Sequence, residues 1–161
     1  MTAEEIVRRL GLAPLPFEGG WFVETWRAGE SWESPRGARA LGTAIYYLIT
    51  PRSFSKLHRV PGVEVFHFYC GDAVEMLQLL PGGRARTIVL GSELEAGSEP
   101  QVVVPAGAWQ GTRLLPGGVW ALLGTTMAPG FDPADYEPGA RAGLIARWPE
   151  HRRAIEALTP P

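Results

Sequence analysis

His58 and Glu64 flank the dipeptide Pro61-Gly62 in the stretch from Ser55 to Asp72, which also holds His67 and the single cysteine, Cys70. An imidazole titrates near neutrality, so it can move a proton in either direction or bind a metal. A carboxylate set among Val65, Phe66 and Phe68 loses hydration, which raises its pKa toward the range that suits proton transfer. A neighbouring His58 or Arg59 opposes that shift. Polar groups inside an apolar stretch cost stability unless something satisfies them, so chemistry is expected here.

Which of these side chains share a face depends on the turn. Read as a hairpin with the two-residue turn Pro61-Gly62, His58 lies on the side of Lys56 and His67, and Glu64 falls beside Arg59. With a three-residue turn, Pro61-Gly62-Val63, His58 pairs with Phe66 and Val60 with Glu64. His58, Val60, Glu64, Phe66 and Phe68 then line one surface, His67 points away, and that surface has the composition of a pocket wall. The second register is preferred.

The elements that hold this stretch read as short strands. Twenty glycines and fifteen prolines in 161 residues imply many turns, and with the Val/Leu runs they favour an all-β sandwich or barrel. Thr2 and Glu5 have capping-box spacing and predict a helix over 2–10. Strands are expected over 17–26, 40–50, 72–80, 84–90, 101–105 and 119–127, with residues 28–39 a loop. A helix near 138–146 and another from Pro149 close the chain. One domain over 1–161, with a barrel at about 17–127, accommodates all of this. Aromatics on both faces of the Trp21–Trp26 strand suggest that a second subunit covers one of them. Cys70 reads as core.

A net charge of −2 offers nucleic acid no overall attraction, and no apolar run reaches the roughly 20 residues that span a bilayer. A lone cysteine fits a reducing compartment, so the cytoplasm is the expected location.

Several segments resemble a known family. His58, Val60, Glu64 and Gly71 sit on the first cupin motif, and Pro105, Gly107 and Gln110 on the second. Glu18-Gly19-Gly20-Trp21, Thr43-Ala44-Ile45-Tyr46, Glu64 to Tyr69, Val103 to Gln110 and Ala128-Pro129-Gly130-Phe131 resemble a small, largely uncharacterised cupin subfamily, over about residues 5–159. The resemblance implies a double-stranded β-helix, a homodimer and a pocket like that of sugar-nucleotide epimerases, with no settled activity. A cupin metal site takes three imidazoles and one carboxylate. Here Val60 and Gln110 replace two of the imidazoles, so no cofactor is expected; a weakly held divalent ion would fall to His58, Glu64 and Gln110.

The expected acid–base pair is therefore His58 and Glu64. The expected ligand contacts are Ser55, Lys56, Phe66, Phe68, Tyr46, Gln110 and Trp109, the last as a stacking platform. Lys56 and Arg59 offer charge to an anionic ligand such as a phosphorylated sugar. The leading expectation is a small-molecule-binding cupin for a sugar-like or nucleotide-sugar-like ligand. The alternatives are a metal-independent isomerase or epimerase, a metal-dependent oxygenase or isomerase with a reduced ligand set, and a purely structural module.

Overall fold

A computed structural model describes residues 1–160. Helix α1 (Ala3–Leu10) starts where Thr2 accepts from the Glu5 amide and Glu5 bonds back to the Thr2 amide, the reciprocal cap that their spacing predicts. The strands β1 (Ala13–Pro14), β2 (Trp21–Arg27), β3 (Ser31–Ser34), β4 (Gly37–Ala40), β5 (Thr43–Ile49), β6 (Ser55–Arg59) and β7 (Val63–Gly71) follow. Then come β8 (Val74–Leu79), β9 (Ala85–Leu90), β10 (Gln101–Val104), β11 (Trp109–Leu114), β12 (Ala121–Ala128) and β13 (Glu137–Pro138). Helices α2 (Arg141–Arg147) and α3 (Arg152–Leu158) complete the described chain. Residues 28–39, expected as a loop, hold all but the last residue of the β3–β4 hairpin. Its polar strands lack the apolar alternation that marks a half-buried strand, and the Ser34 hydroxyl closes the turn by accepting from the Arg36 amide.

Two sheets face each other, in the orders β1-β2-β5-β12-β7-β10 and β13-β6-β11-β8-β9. Tyr47, Ile49, Phe66, Met76, Leu90 and Leu123 fill the space between them. The outer face of the second sheet carries Leu57, Leu77 and Leu79, which Leu144 of α2, Ile155 and Leu158 of α3, and Trp148 between the two helices cover. On the first sheet, α1 lays Ile6 against Leu48, and Trp21, Val23 and Leu122 pack around them. Each sheet thus buries both sides of several strands, and the fold is the double-stranded β-helix with terminal helices that the motifs imply. The chain's own α1 packs against Trp21 and Val23 of β2, leaving Trp26 as that strand's exposed aromatic.

The central stretch is not a hairpin. β6 pairs with β11 and β13, whereas β7 pairs with β12 and β10, so Pro61-Gly62 carries the chain from one sheet to the other. His58 has Gln110 as its cross-strand partner, rather than Phe66. The inward facing expected of the three-residue turn still holds, because each sheet sets it separately: His58, Val60, Glu64 and Phe66 are 2%, 4%, 7% and 1% exposed. Cys70, expected in the core, is exposed at the end of β7, beyond the last residue paired to β10.

Two strand irregularities aim charged groups inward. On β6, His58 and Ser55 oppose Gln110 and Thr112, so one extra residue on β6 lets both Ser55 and His58 turn inside. On β2, Glu24 and Trp26 oppose Ile45 and Ala44, and the same arithmetic puts Glu24 and Arg27 on one side. Gly111 lies under the β6 bulge, where a methyl group would stand 3.1 Å from the backbone N and Cα of Leu57. Since backbone cannot swing aside as a side-chain tip can, Gly111→Ala is expected to lower the unfolding free energy by about 1–3 kcal/mol. Urea denaturation checks this, and an unshifted midpoint would show that the bulge does not need the glycine.

Candidate functional site

β6 supplies Ser55 and His58, β7 supplies Glu64, and β11 supplies Gln110. A fifth group, Glu18, comes from the turn before β2. There Gly19 (φ 103°) and Gly20 (φ 75°) adopt left-handed backbone conformations, and the Tyr47 ring lies where a Gly20 side chain would be. This brings Glu18 onto β6: its carbonyl accepts from the Lys56 amide at 3.0 Å, and its Oε1 accepts from the Ser55 hydroxyl at 2.6 Å.

The His58 ring is held on three sides. Nδ1 lies 2.7 Å from the Lys56 carbonyl, the amide nitrogen of Gln110 is 3.0 Å from Nε2, and Tyr136 stacks on the ring at 4.8 Å. An amide nitrogen only donates, so Nε2 is the acceptor and the ring proton sits on Nδ1, where the Lys56 carbonyl accepts it. The second N–H of Gln110 points to Glu64 Oε2 at 3.2 Å. Glu18 Oε2 lies 3.7 Å from His58 Nε2. Gln110 Oε1 is buried without a hydrogen-bond partner among the described residues.

Burial pushes the Glu64 carboxyl up to about 7, and the charge of Glu18 adds to that shift, while His58 and the Gln110 hydrogen bond oppose it. Burial also raises the Tyr136 hydroxyl, with Glu18 again contributing.

Glu18, His58 and Glu64 border a cavity of about 190 Å³. Leu15, Phe17, Phe22, Ile45, Met127 and Phe131 form its apolar walls; Glu18, Glu24, Arg27, His58 and Glu64 supply the charged or titratable lining. A strap between β12 and β13 roofs it. The Phe131 amide donates to Thr43 Oγ1 at 2.9 Å, and Asp135 accepts from Arg39 at 2.9 Å through both carboxylate oxygens. Tyr136 from the same strap lies against both His58 and Phe17.

Of the expected residues, the structure brings together Ser55, His58, Glu64 and Gln110. Lys56 contributes its carbonyl, and its side chain does not line the cavity. Phe66 is core, and Phe68 packs on the same cluster outside the cavity wall. Trp109 corrects the expected stacking platform: Gln110 faces inward, so its neighbour must face out, and Trp109 packs against the α2–α3 side under Arg59. Tyr46 is likewise on the outer face, edge-on to Tyr69 at 5.8 Å, because Ile45 and Tyr47 face in. His67 faces outward as expected, its ring 3.1 Å from Thr126 Oγ1. Glu18, Glu24, Arg27 and Tyr136 were missed. The signal for Glu18 was the Gly-Gly pair behind it, which lets a carboxylate fold back onto a distant strand.

A metal of the cupin type does not fit this donor set. The lone pairs of His58 Nε2 and Glu64 Oε2 that would bind it face the N–H donors of Gln110, and the next motif position is the apolar Val60. Among the described residues no group of three His, Cys, Asp or Glu is arranged to hold a metal ion.

The buried carboxyl makes stability depend on pH. With a folded pKa near 7 against an ordinary 4.5, Glu64 keeps a proton in the fold that the unfolded chain releases. Its contribution is therefore most favourable below the unfolded value and declines as pH rises to the folded one, by a few kcal/mol. Glu64→Gln should remove that slope, so urea unfolding of the variant gains roughly 1–3 kcal/mol on the parent between about pH 5 and 8. Parallel pH profiles would place the proton on another group.

The Cupin superfamily (DUF985) profile matches residues 4–138. A hypothetical protein from Leishmania major is 31% identical, with a TM-score of 0.90 over 99% of both chains. Protein SO0799 from Shewanella oneidensis is 29% identical with the same TM-score, covering 100% of this chain and 99% of that one. The uncharacterized protein YML079W of Saccharomyces cerevisiae is 29% identical over 134 residues; the match takes in 74% of this chain and 66% of the yeast protein's length. None of these names carries an activity. The inward motif residues, the two-sheet barrel and the matches along its length agree: this chain belongs to the DUF985 family of the cupin superfamily.

Proposed function

We propose that the barrel cavity binds a compact, polar, sugar-like small molecule, and that it does so without a metal. The observation that carries this is the meeting of His58, Glu64 and Glu18 in one apolar-walled cavity, an arrangement that fixes a ligand's polar edge while burying its body. A volume of about 190 Å³ is below the roughly 300–1,000 Å³ of sites for drug-sized molecules, which favours a single sugar ring or smaller over a sugar nucleotide.

Proton transfer is the second reading, favoured by the Glu64 carboxyl lying near neutrality beside an imidazole with a free Nε2 lone pair once Gln110 yields it. In a carbonyl isomerase, His58 Nε2 takes the proton from the carbon next to a carbonyl while the protonated Glu64 carboxyl gives its proton to the carbonyl oxygen, forming an enediol. His58 then returns its proton to the former carbonyl carbon and the Glu64 carboxylate takes one from the neighbouring hydroxyl, which restores both groups and leaves the carbonyl moved by one carbon.

Monosaccharides and small polyols at about 100 times their Kd should raise the melting temperature by several degrees, since saturation at that level adds about 2.7 kcal/mol. If every such compound leaves the melting temperature unmoved, the binding reading fails. For turnover, a bound sugar incubated in deuterated water should gain deuterium at its acidic carbon, and His58→Ala should abolish this while remaining folded. Full exchange in the variant rules out His58 as the base.

A further inference from the structure

The cavity lining is unequal in charge. Its walls carry the carboxylates Glu18, Glu24 and Glu64 against one arginine, Arg27, and one imidazole, His58. Arg27 is already committed: it binds Glu24 through Nε at 2.9 Å and Nη2 at 2.7 Å, and reaches the Phe131 carbonyl at 3.2 Å. The arginines that pair with the strap and with β13 are matched too, Arg36 and Arg39 with Asp135, and Arg59 with Glu137. An anionic ligand therefore meets no unpaired arginine here, and it would add a further negative charge beside two carboxylates.

His58 Nε2 lies 3.7 Å from Glu18 and shares the Gln110 amide with Glu64, and the hydrogen bonds to its ring leave Nε2 as an acceptor. Each of those carboxyl groups has one oxygen engaged, Glu18 by Ser55 and Glu64 by Gln110, and a cation brought between them displaces the proton that burial keeps on Glu64. The other two oxygens belong to residues that line the cavity, and no lysine or unpaired arginine lines it with them. Phe17, Phe22 and Phe131 face the same space, and aromatic faces attract a cation more strongly once water is excluded. A primary ammonium brings three N–H donors and one positive charge, the complement of this arrangement.

We propose that the ligand is a compact hydroxylated amine, of the amino-sugar or amino-alcohol class, with its ammonium held between Glu18 and Glu64 and its carbon skeleton against the phenylalanines. This rests on the binding reading of the cavity and adds the ligand's charge. It also replaces the phosphorylated sugar that Lys56 and Arg59 suggested from sequence.

Two series of equal skeleton and different charge test it: serinol, glycerol and glycerate; and glucosamine, glucose and glucuronate. Calorimetric titration of the full chain in an amine-free buffer should give, in the series whose size fits, an amine bound at least about tenfold more tightly than its neutral counterpart, with no measurable binding of the acid. Glu18→Gln, checked for folding by circular dichroism, should bring the amine-to-neutral ratio toward one, and Glu64→Gln should do the same through a different strand. An acid or neutral compound bound as tightly as its amine would overturn the charge assignment and leave the cavity reading standing. Six silent titrations would remove the cavity reading and this inference with it.

Discussion

The amide of Gln110 ties the barrel together at its most expensive point. Its nitrogen serves an imidazole from β6 of its own sheet and a carboxylate from β7 of the opposite one. Buried polar atoms that fail to find partners each cost a folded chain about 1–3 kcal/mol. The single nitrogen limits that cost for two ionisable side chains at once. The arrangement around it follows from the same need. The β6 bulge turns His58 to meet the amide, Gly111 leaves room for the bulge, and the Lys56 carbonyl within it fixes the tautomer that lets Nε2 accept.

The tie also explains why this cupin interior looks unlike a metal centre although it occupies the motif positions of one. A donor amide between two lone pairs neutralises the preference for a cation at that point and moves the open negative charge a few ångströms away, toward Glu18. The barrel then holds a carboxyl poised near neutrality, an imidazole of fixed orientation and an apolar enclosure. Such an interior is less stable than one filled with leucine, and the difference is what makes it capable of discrimination or proton transfer.

Much of the fold was legible in the chain. The Thr2–Glu5 cap, the strand runs bounded by Pro-Gly turns and the terminal helices all have local causes, and local causes show in sequence. The inward facing of His58 and Glu64 was legible for a reason that turned out to be wrong, since their facing comes from two separate sheets rather than from one hairpin. What stayed hidden was whatever depends on residues distant along the chain. Glu18 reaches the site by a left-handed Gly-Gly turn and Tyr136 by a strap that follows the barrel, and neither position carries a periodic signal. Trp109 and Tyr46 were misplaced by a single step of strand parity, the finest distinction that an extended chain allows.

The strap has a second duty. It leads directly into β13, which lies along β6 at the margin of the sheet, with Glu137 opposite Arg59, Pro138 opposite His58, and the Gly139 amide bonded to the Leu57 carbonyl. The piece of chain that roofs the cavity is thus continuous with the margin of the five-stranded sheet. Lifting it to admit a ligand would strip β6 of its neighbour and lay open a row of unpaired backbone groups, the surface on which sheets recruit foreign strands. A ligand that entered by this route would do so at the cost of the sheet's own margin.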